Sequence, residues 1–150
     1  MSRAEPAIFT TMVMVYDGDK ILVQERRDPS WPGISFPGGH VEPCESFVKC
    51  AVREIYEETG LTISNLHLCG MKQFTHRRGD YRYIVFFYKT DCFSGDLTAS
   101  DEGRVFWIDR SELKNYVLAD GFDSMYEIFV RDDVSENYHW FDGEWHVENL

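Results

Sequence analysis

The sequence predicts one α/β domain with a mixed β-sheet, and three observations support this fold class. The chain has 150 residues, which is the length of one ordinary domain and enough for a proper core. Hydrophobic residues make up 43% of the chain and aromatic residues 15%, which excludes an intrinsically disordered protein. Segments of strand character are mixed with a few segments of helical periodicity, and this order is typical of a single α/β domain.

The chain begins with a predicted β-hairpin. Residues 8–16 (IFTTMVMVY) are β-branched and apolar, residues 17–19 (DGD) form a turn, and residues 21–26 (ILVQER) form the returning strand. A loop with two prolines follows at residues 28–33. The strand-like segment 34–39 (ISFPGG) then leads from this loop into the first helix.

The first predicted helix follows Ser46 and ends before Gly60. Ser46 is a favourable N-cap residue, and Gly60 can end the helix because glycine adopts the left-handed conformation without strain. Apolar residues recur with helical period, so one face is expected to pack on the core. These residues are Phe47, Val48, Ala51, Val52, Ile55 and Tyr56.

The second half of the chain adds a hairpin, a strand, two helices and a terminal hairpin. The predicted bounds are 66–75 and 81–90 for the hairpin, 104–108 for the strand, and 111–116 and 122–131 for the helices. In the tail (YHWFDGEWHVE), the Asp142-Gly143 pair stands between aromatic flanks, which is a strong signal for a tight turn between two strands.

The polar face of the first helix predicts a metal site. It carries Glu54, Glu57 and Glu58, and residues three and four positions apart are neighbours on a helix. Crowded carboxylates are unfavourable without a cation, and oxygen-rich clusters suit hard divalent ions such as Mg²⁺. Arg53 is one turn from Glu57 and is expected to orient a carboxylate through a bidentate contact. The glycine pair at 38–39 would let the backbone approach a metal ion or a phosphate closely, with a carbonyl oxygen as a candidate ligand.

Residues 39–61 (GHVEPCESFVKCAVREIYEETGL) carry the most specific pattern in the chain, G-x5-E-x7-R-E-(apolar)-x-E-E-x-G-(apolar). This stretch resembles the Nudix box, the signature of hydrolases that cleave nucleoside diphosphates linked to another moiety. Every position of the pattern is filled, and a solvated acidic helix face would not explain Gly39, Glu45 or Arg53 at these spacings. The resemblance implies that residues 1–150 form a single Nudix domain, an α/β/α sandwich around a mixed β-sheet.

The resemblance further implies a pyrophosphohydrolase that depends on Mg²⁺ or Mn²⁺. Substrate phosphates would bridge the metal ions, and a carboxylate or a metal-bound water of lowered pKa would generate the nucleophile. Glu102 matches an acidic ligand that relatives supply from a late loop, and its alternative is a solvated loop acid. The residues to which a metal-binding role carries over are Gly39, Glu54, Glu57, Glu58 and Glu102. The residues to which a catalytic role carries over are Glu45, Arg53, Glu54 and Glu57.

A weaker likeness extends to MutT-type enzymes, which sanitise oxidised purine nucleotides. It rests on Phe36 before the sequence PGG, on Glu102 before a strand ending in FW, and on a closing helix followed by an aromatic hairpin. It implies a purine nucleoside triphosphate as substrate, with 8-oxo-dGTP as the leading compound. Phe36 is expected to stack on the base, and Asp120 matches an Asp that reads the purine in some relatives. Phe74, Tyr81 and Tyr83 are alternatives for stacking, although aromatic residues in strands are more often part of the core.

Two arginines and a glycine complete the predicted substrate site. Arg26 and Arg27 end the second strand near the box, and one of them is expected to meet a phosphate because arginine suits bidentate phosphate contacts. The alternative is a surface ion pair with Glu25 or Asp28. Gly38 is expected to bind substrate through its backbone.

Other functions remain open from the sequence. They are an ADP-ribose-type hydrolase, an enzyme acting on the 5′ pyrophosphate of RNA, and a regulatory module that senses a nucleotide without catalysis. A sensing module would be expected to lose box carboxylates, and this chain keeps all of them. There are two departures from the pattern: Cys44 stands where the family commonly has glycine, and Ser35 stands near a position where some oxidised-purine hydrolases have asparagine.

Composition constrains the partners. The net charge is −11, and an acidic chain is a poor candidate for a stable nucleic-acid complex, which needs Lys and Arg against phosphate. A small nucleotide that is bound together with metal ions is compatible with this charge, and a homodimer remains open. The four cysteines show no C-x-x-C pairing, so we expect no zinc site and reduced thiols in the cytoplasm. No apolar run is long enough to predict a membrane span.

Overall fold

The computed structural model describes residues 2–150, which form strands, two α-helices and a short 3₁₀ helix. The strands are β1 (Ala7–Asp17), β2 (Lys20–Arg26), β3 (Gly33–Ser35), β4 (Gly38–His40), β5 (Thr62–Ser64), β6 (His67–Thr75), β7 (Arg82–Thr90), β8 (Cys92–Ser94), β9 (Gly103–Asp109), β10 (Glu136–Phe141) and β11 (Trp145–Asn149). The helices are α1 (Phe47–Thr59) and α2 (Phe122–Val130), and the 3₁₀ helix spans Arg110–Asn115.

Nine of these strands form one mixed sheet. The order is β11-β10-β6-β7-β1-β2-β3, with β4 also paired to β1 and β9 also paired to β2. β1 runs parallel to β7 and β10 runs parallel to β6, whereas the other pairs are antiparallel. β1 pairs with β4 through Thr10–Met12, near its middle, and with β2 through Tyr16 and Asp17, at its C-terminal end. β5 and β8 form a separate two-stranded sheet.

Side chains of β1 point alternately into two cores, one under each helix. Val13 and Val15 pack with Ile55 of α1, whereas Met14 packs with Phe122 of α2. This alternation follows from the pleat, which directs successive side chains to opposite faces of a strand. The predicted α/β/α sandwich around a mixed sheet is therefore confirmed. Among residues 2–150, no helix has the length and apolar character that a membrane crossing requires.

The predicted elements are confirmed with small differences, and β5 and β8 were not predicted. Both are three residues long and too short to show periodicity. The strand-like segment 34–39 is divided between β3 and β4 at Phe36-Pro37, since β3 pairs with β2 and β4 pairs with β1. Residues 111–116 lie mostly in the 3₁₀ helix rather than in an α-helix. The caps of α1 are confirmed: the Ser46 hydroxyl accepts from the Lys49 N–H at 3.3 Å, and Gly60 has φ of 79°.

The buried face of α1 differs from the predicted one. Phe47, Val48 and Tyr56 were expected in the core but are 36%, 43% and 61% exposed, whereas Glu58 is only 4% exposed. The residues of α1 that are buried are Cys50, Ala51, Ile55, Glu58 and Thr59. An apolar pattern does not predict the burial of Glu58, because its carboxylate is paired with a backbone N–H of another element.

Candidate active site

The glycine pair at 38–39 brings the backbone of β4 against both β1 and α1. A Cβ atom on Gly38 would overlap the carbonyl oxygen of Thr11, and a Cβ atom on Gly39 would overlap the carboxylate of Glu54. Glycine is therefore required at position 38, where the overlap is with backbone, whereas a side chain at position 39 would displace the Glu54 carboxylate. The Gly38 N–H donates to Glu58 Oε2 at 3.0 Å, so the backbone itself binds this buried carboxylate.

Arg53 is the centre of the ionic network on α1. Its guanidinium donates to both oxygens of Glu45, from Nε at 2.7 Å and from Nη2 at 2.8 Å. Nη1 donates to Glu54 at 2.9 Å and to Glu57 at 3.2 Å, and Nη2 also donates to the carbonyl oxygen of His40 at 3.1 Å. The fork of five donors therefore joins the loop before α1, the strand β4 and two helix carboxylates.

Glu45 is held as an anion by this network. The Arg53 guanidinium lowers the pKa of the Glu45 carboxyl to about 2, and the Glu42 N–H donates to the same carboxylate at 3.1 Å. The same contact raises the pKa of Arg53 above its ordinary value, so the pair stays charged. Both oxygens of Glu45 are occupied, and this arrangement favours a role in positioning Arg53 over a role as proton acceptor.

The three box carboxylates differ in burial. The Glu57 side chain is 55% exposed, the Glu54 side chain is 15% exposed, and Glu58 lies almost wholly in the interior. Burial raises the pKa of Glu54. Burial, followed by the charge of Glu54, raises the pKa of Glu58 to about 8. These raised pKa values indicate that the ionised forms of Glu54 and Glu58 are unfavourable when no cation is present.

Glu102 lies beside this group. It occupies the exposed turn before β9, and its carbonyl oxygen accepts from the Arg27 N–H at 3.3 Å. The charge of its carboxylate raises the pKa of both Glu54 and Glu58, which shows that it lies within electrostatic range of them. We call Gly39, Glu54, Glu57, Glu58 and Glu102 the acidic cluster.

The chemistry of the acidic cluster fits a hard divalent cation. Its donors are carboxylate oxygens together with the carbonyl oxygen of Gly39, which is the set preferred by Mg²⁺ and Mn²⁺. Within residues 2–150, no three His, Cys, Asp or Glu side chains already converge at coordinating distance. Glu54 and Glu57 instead accept hydrogen bonds from Arg53, whose charge offsets theirs.

The burial of Glu58 predicts a stability change in the metal-free protein. Its folded pKa of about 8 lies above the ordinary value of 4.5, so between these values the folded state binds the proton more strongly than the unfolded state. Stability therefore falls as pH rises from 4.5 to 8 and is constant above that window with respect to this group. We expect Glu58→Gln to raise Tm by roughly 5 °C at pH 9 in EDTA, and to have little effect at pH 4.5.

Thermal unfolding of both proteins across this pH range tests this expectation. Glutamine keeps an acceptor for the Gly38 N–H, so the backbone hydrogen bond is retained. Glu112→Gln, an exposed carboxylate on the 3₁₀ helix, is the matched control and should give no such pH-dependent gain. An equal Tm for wild type and Glu58→Gln at pH 9 would show that Glu58 carries no buried charge.

The two predicted phosphate-binding arginines lie in different surroundings. Arg26 Nε donates to the carbonyl oxygen of Trp31 at 3.0 Å, and its guanidinium lies 4.8 Å from the centre of the Trp31 ring. Its contact with Asp28 is long, at 3.8 Å. The charge of Arg26 partly opposes the rise in the pKa of Glu58 that burial causes, so Arg26 is electrostatically linked to the acidic cluster. The Arg27 side chain is exposed beside the Glu102 turn.

The prediction that Phe36 stacks on a base is wrong. Phe36 is only 1% exposed and packs edge-to-face on Phe122 at 4.9 Å and on Phe129 at 5.0 Å. Its direction follows from strand alternation, which places Ile34 and Phe36 on the α2 side of the sheet. Phe36 therefore stabilises the core beneath the site and presents no face to a ligand.

Aromatic residues from a loop and two strands lie near Lys72 or near one another instead, and one of them contacts Asp120. Trp31 Nε1 donates to the carbonyl oxygen of Asp120 at 2.8 Å. The ammonium of Lys72 lies 5.9 Å from the centre of the Trp31 ring and 5.8 Å from that of Phe74. Phe74 stacks on Tyr83 at 5.3 Å. We call Trp31, Phe74 and Tyr83, all partly exposed, the aromatic surface.

The aromatic surface adjoins the acidic cluster through Arg26. Burial raises the pKa of both Tyr83 and Glu58, the charge of Arg26 opposes both shifts, and the Arg26 guanidinium lies over Trp31. Sequence reasoning singled out neither Trp31 nor Lys72. The position of Trp31 in a polar, proline-containing loop could have indicated a binding residue. An aromatic residue outside any strand or helix pattern is not expected to pack in the core.

Comparison with known proteins agrees with this geometry. The model of the NUDIX domain matches residues 8–131. The chain is 32% identical to Nudix hydrolase YvcI of Bacillus subtilis over 116 residues, which cover 75% of this chain and 72% of that protein. It is 30% identical to an oxidized purine nucleoside triphosphate hydrolase of Danio rerio over 109 residues, covering 71% and 68% of the two chains.

Two further likenesses come from archaeal and bacterial proteins. An ADP-ribose pyrophosphatase of Methanocaldococcus jannaschii is 33% identical over 101 residues, which cover 66% of this chain and 59% of that one. The MutT protein of Bacillus halodurans has a solved structure that superposes with a TM-score of 0.77 at 22% identity, covering 94% of this chain and 97% of the other. That likeness concerns the fold. With the family pattern matched over most of its length and every box position filled, the chain belongs to the Nudix family of metal-dependent enzymes that hydrolyse pyrophosphate bonds.

Proposed function

We propose that this enzyme hydrolyses a purine nucleoside triphosphate, with 8-oxo-dGTP as the leading compound, to the monophosphate and pyrophosphate. The observation that carries the proposal is the adjacency of the acidic cluster and the aromatic surface, with Arg26 between them. One region suits phosphates and metal ions, and the other suits a flat base. The Danio rerio relative, by its name, acts on oxidised purine nucleoside triphosphates.

In this proposal the acidic cluster holds Mg²⁺ or Mn²⁺. A divalent ion bound there would neutralise phosphate charge and lower the pKa of a water molecule. Gly39 contributes its carbonyl oxygen, and the carboxylates are those of Glu54, Glu57, Glu58 and Glu102. Arg26 and Arg27 contact the phosphate chain, and the Gly38-Gly39 backbone lets that chain approach α1 closely.

Each protein group would have its own role in the reaction. The Glu54 side chain is mostly buried and has a raised pKa, so its carboxylate is suited to accept the proton of the attacking water. Water would attack the α or the β phosphorus, the P–O bond between these two phosphates would break, and the leaving group, pyrophosphate or the nucleoside monophosphate, would take up the electron pair. Arg53, held by Glu45, keeps Glu54 and Glu57 in position during this step.

A substrate panel tests this proposal. We expect kcat/KM to be highest for purine triphosphates, lower by about tenfold for dCTP, and very low for nucleoside monophosphates, since a single phosphate lacks the bridge that is cleaved. The panel consists of 8-oxo-dGTP, dGTP, dATP, dCTP, ADP-ribose and dGMP. Products are identified by chromatography, and reaction in ¹⁸O-water shows which phosphorus is attacked.

Several results would contradict the proposal. Rapid release of phosphate from dGMP would contradict cleavage at a bridging phosphate. Equal efficiency on dCTP and 8-oxo-dGTP would contradict a purine site. A strong preference for ADP-ribose would instead assign the substrate class that the Methanocaldococcus jannaschii relative is named for.

A further inference from the structure

Lys72 is a partly buried cation for which the structure gives no ion-pair partner within residues 2–150. It lies on β6 opposite Val85, a buried residue of β7. Its ammonium lies between the rings of Trp31 and Phe74, at 5.9 and 5.8 Å from their centres. The side chain has three N–H donors and no acceptor, and aromatic faces satisfy them only weakly. These donors are therefore free for an acceptor on a bound molecule.

The charged and titratable groups around Lys72 come from three other segments. Asp120, before α2, is an exposed anion whose charge acts on Lys72. His139, on β10, has a pKa lowered to about 4 by burial and by the charge of Lys72, so it is neutral near pH 7. Arg26, from β2, lies over the same Trp31 ring. Of the groups named here, Asp120 alone supplies a negative charge.

We propose that Lys72 determines base specificity by donating to a ring carbonyl oxygen, so that the site selects 6-oxopurines over 6-aminopurines. The inference rests on the proposed function, because it assumes that the base lies at the aromatic surface. Guanine, hypoxanthine and 8-oxoguanine all present O6 as an acceptor, and lysine is a common partner for the O6 edge of guanine. Adenine presents an amino group at the same place and would direct a donor toward the ammonium.

Asp120 complements Lys72 in this assignment. A guanine-type base carries N–H donors on the edge next to O6, and a carboxylate accepts from such donors. Asp120 is placed near Lys72 and is held through its backbone by the Trp31 indole. In this assignment Lys72 donates to O6 of the base, and Asp120 accepts from the N–H groups next to O6. Adenine matches neither group.

Lys72→Met is the informative variant. Methionine has similar length, cannot donate a hydrogen bond and fits an apolar setting. Burial lowers the pKa of Lys72 to about 8, which shows that its charge is unfavourable there. The variant should therefore fold at least as stably as wild type. Lys20→Met, which replaces an exposed lysine of β2, is the matched control.

Equilibrium binding by calorimetry, with dGMP, dIMP and dAMP as probes, tests the inference without depending on hydrolysis. We expect wild type to bind dGMP and dIMP at least about tenfold more tightly than dAMP, and Lys72→Met to lose most of that ratio. Lys72→Arg should retain part of it, because arginine also donates. Lys20→Met should match wild type.

The outcomes separate the two proposals. Equal binding of dGMP and dAMP by wild type, or an unchanged ratio in Lys72→Met, would overturn the role of Lys72 even if nucleoside triphosphates are hydrolysed. Failure to hydrolyse any purine triphosphate, with the binding ratio intact and lost in Lys72→Met, would overturn the proposed function and support the role of Lys72.

Discussion

Replacing Glu57 with glutamine is expected to lower kcat/KM by about 10²-fold or more, the scale typical of a lost electrostatic or acid–base group. Glutamine keeps the shape and one acceptor for Arg53 but removes the negative charge that attracts a divalent ion. Folding should be unaffected because the Glu57 side chain is 55% exposed. The measurement is steady-state hydrolysis of the best triphosphate over a series of Mg²⁺ concentrations.

Two controls show whether the lower kcat/KM of Glu57→Gln reflects the loss of metal binding. Exhaustive chelation should abolish turnover of wild type, and added Mg²⁺ should restore it. Glu112→Gln, which neutralises an exposed carboxylate outside the acidic cluster, should keep full activity. If Glu57→Gln hydrolysed the substrate at the wild-type rate and Mg²⁺ dependence, the carboxylate would have no part in metal binding or catalysis.

Replacing Arg53 with lysine is expected to reduce both turnover and stability although the charge is kept. One guanidinium binds Glu45, Glu54, Glu57 and the carbonyl oxygen of His40 at once. An ammonium has three donors without the planar fork and cannot make these contacts together. We expect Tm to fall by roughly 5 °C and kcat by tenfold or more, because Glu54 and Glu57 lose their positions.

The matched control for this variant is Arg104→Lys. Arg104 pairs with Glu25 at 3.1 Å on the surface, and both side chains are more than half exposed, so the change should have little effect. Glu45→Gln should resemble Arg53→Lys in its effect on kcat, since Glu45 holds Arg53. Unchanged kcat in both variants would show that the network does not position the catalytic carboxylates.

The box illustrates what a sequence determines by itself. Helix α1, its N-cap Ser46 and its end at Gly60 follow from local rules, because capping and left-handed glycine need only neighbouring residues. The contact between Arg53 and Glu57 also follows, since these residues are one helical turn apart. The metal-binding chemistry is predictable for the same reason: its main carboxylates lie on one short helix.

The burial of Glu58 was decided by tertiary structure. Its partner is the N–H of Gly38, twenty positions earlier in the chain, and α1 meets that group only because β4 pairs with β1. The apolar pattern of the helix placed Tyr56 in the core and Glu58 outside, and both assignments were wrong. A buried carboxylate is tolerated when a distant element supplies a donor, which no periodicity reveals.

The residues expected to contact the base were also predictable only in part from the sequence. The motif that places Phe36 before the glycine pair suggested a stacking residue, whereas Phe36, directly after β3, packs with Ile34 in the α2 core. Residues far apart in sequence meet at this surface: Trp31, which contacts Asp120, comes from a loop, and Lys72 and Phe74 come from β6. The sequence determined by itself the fold class, the main elements and the acidic helix, because these depend on residues within a few turns of one another. Tertiary structure alone decided which aromatic and charged side chains meet, because sheet pairing sets those distances.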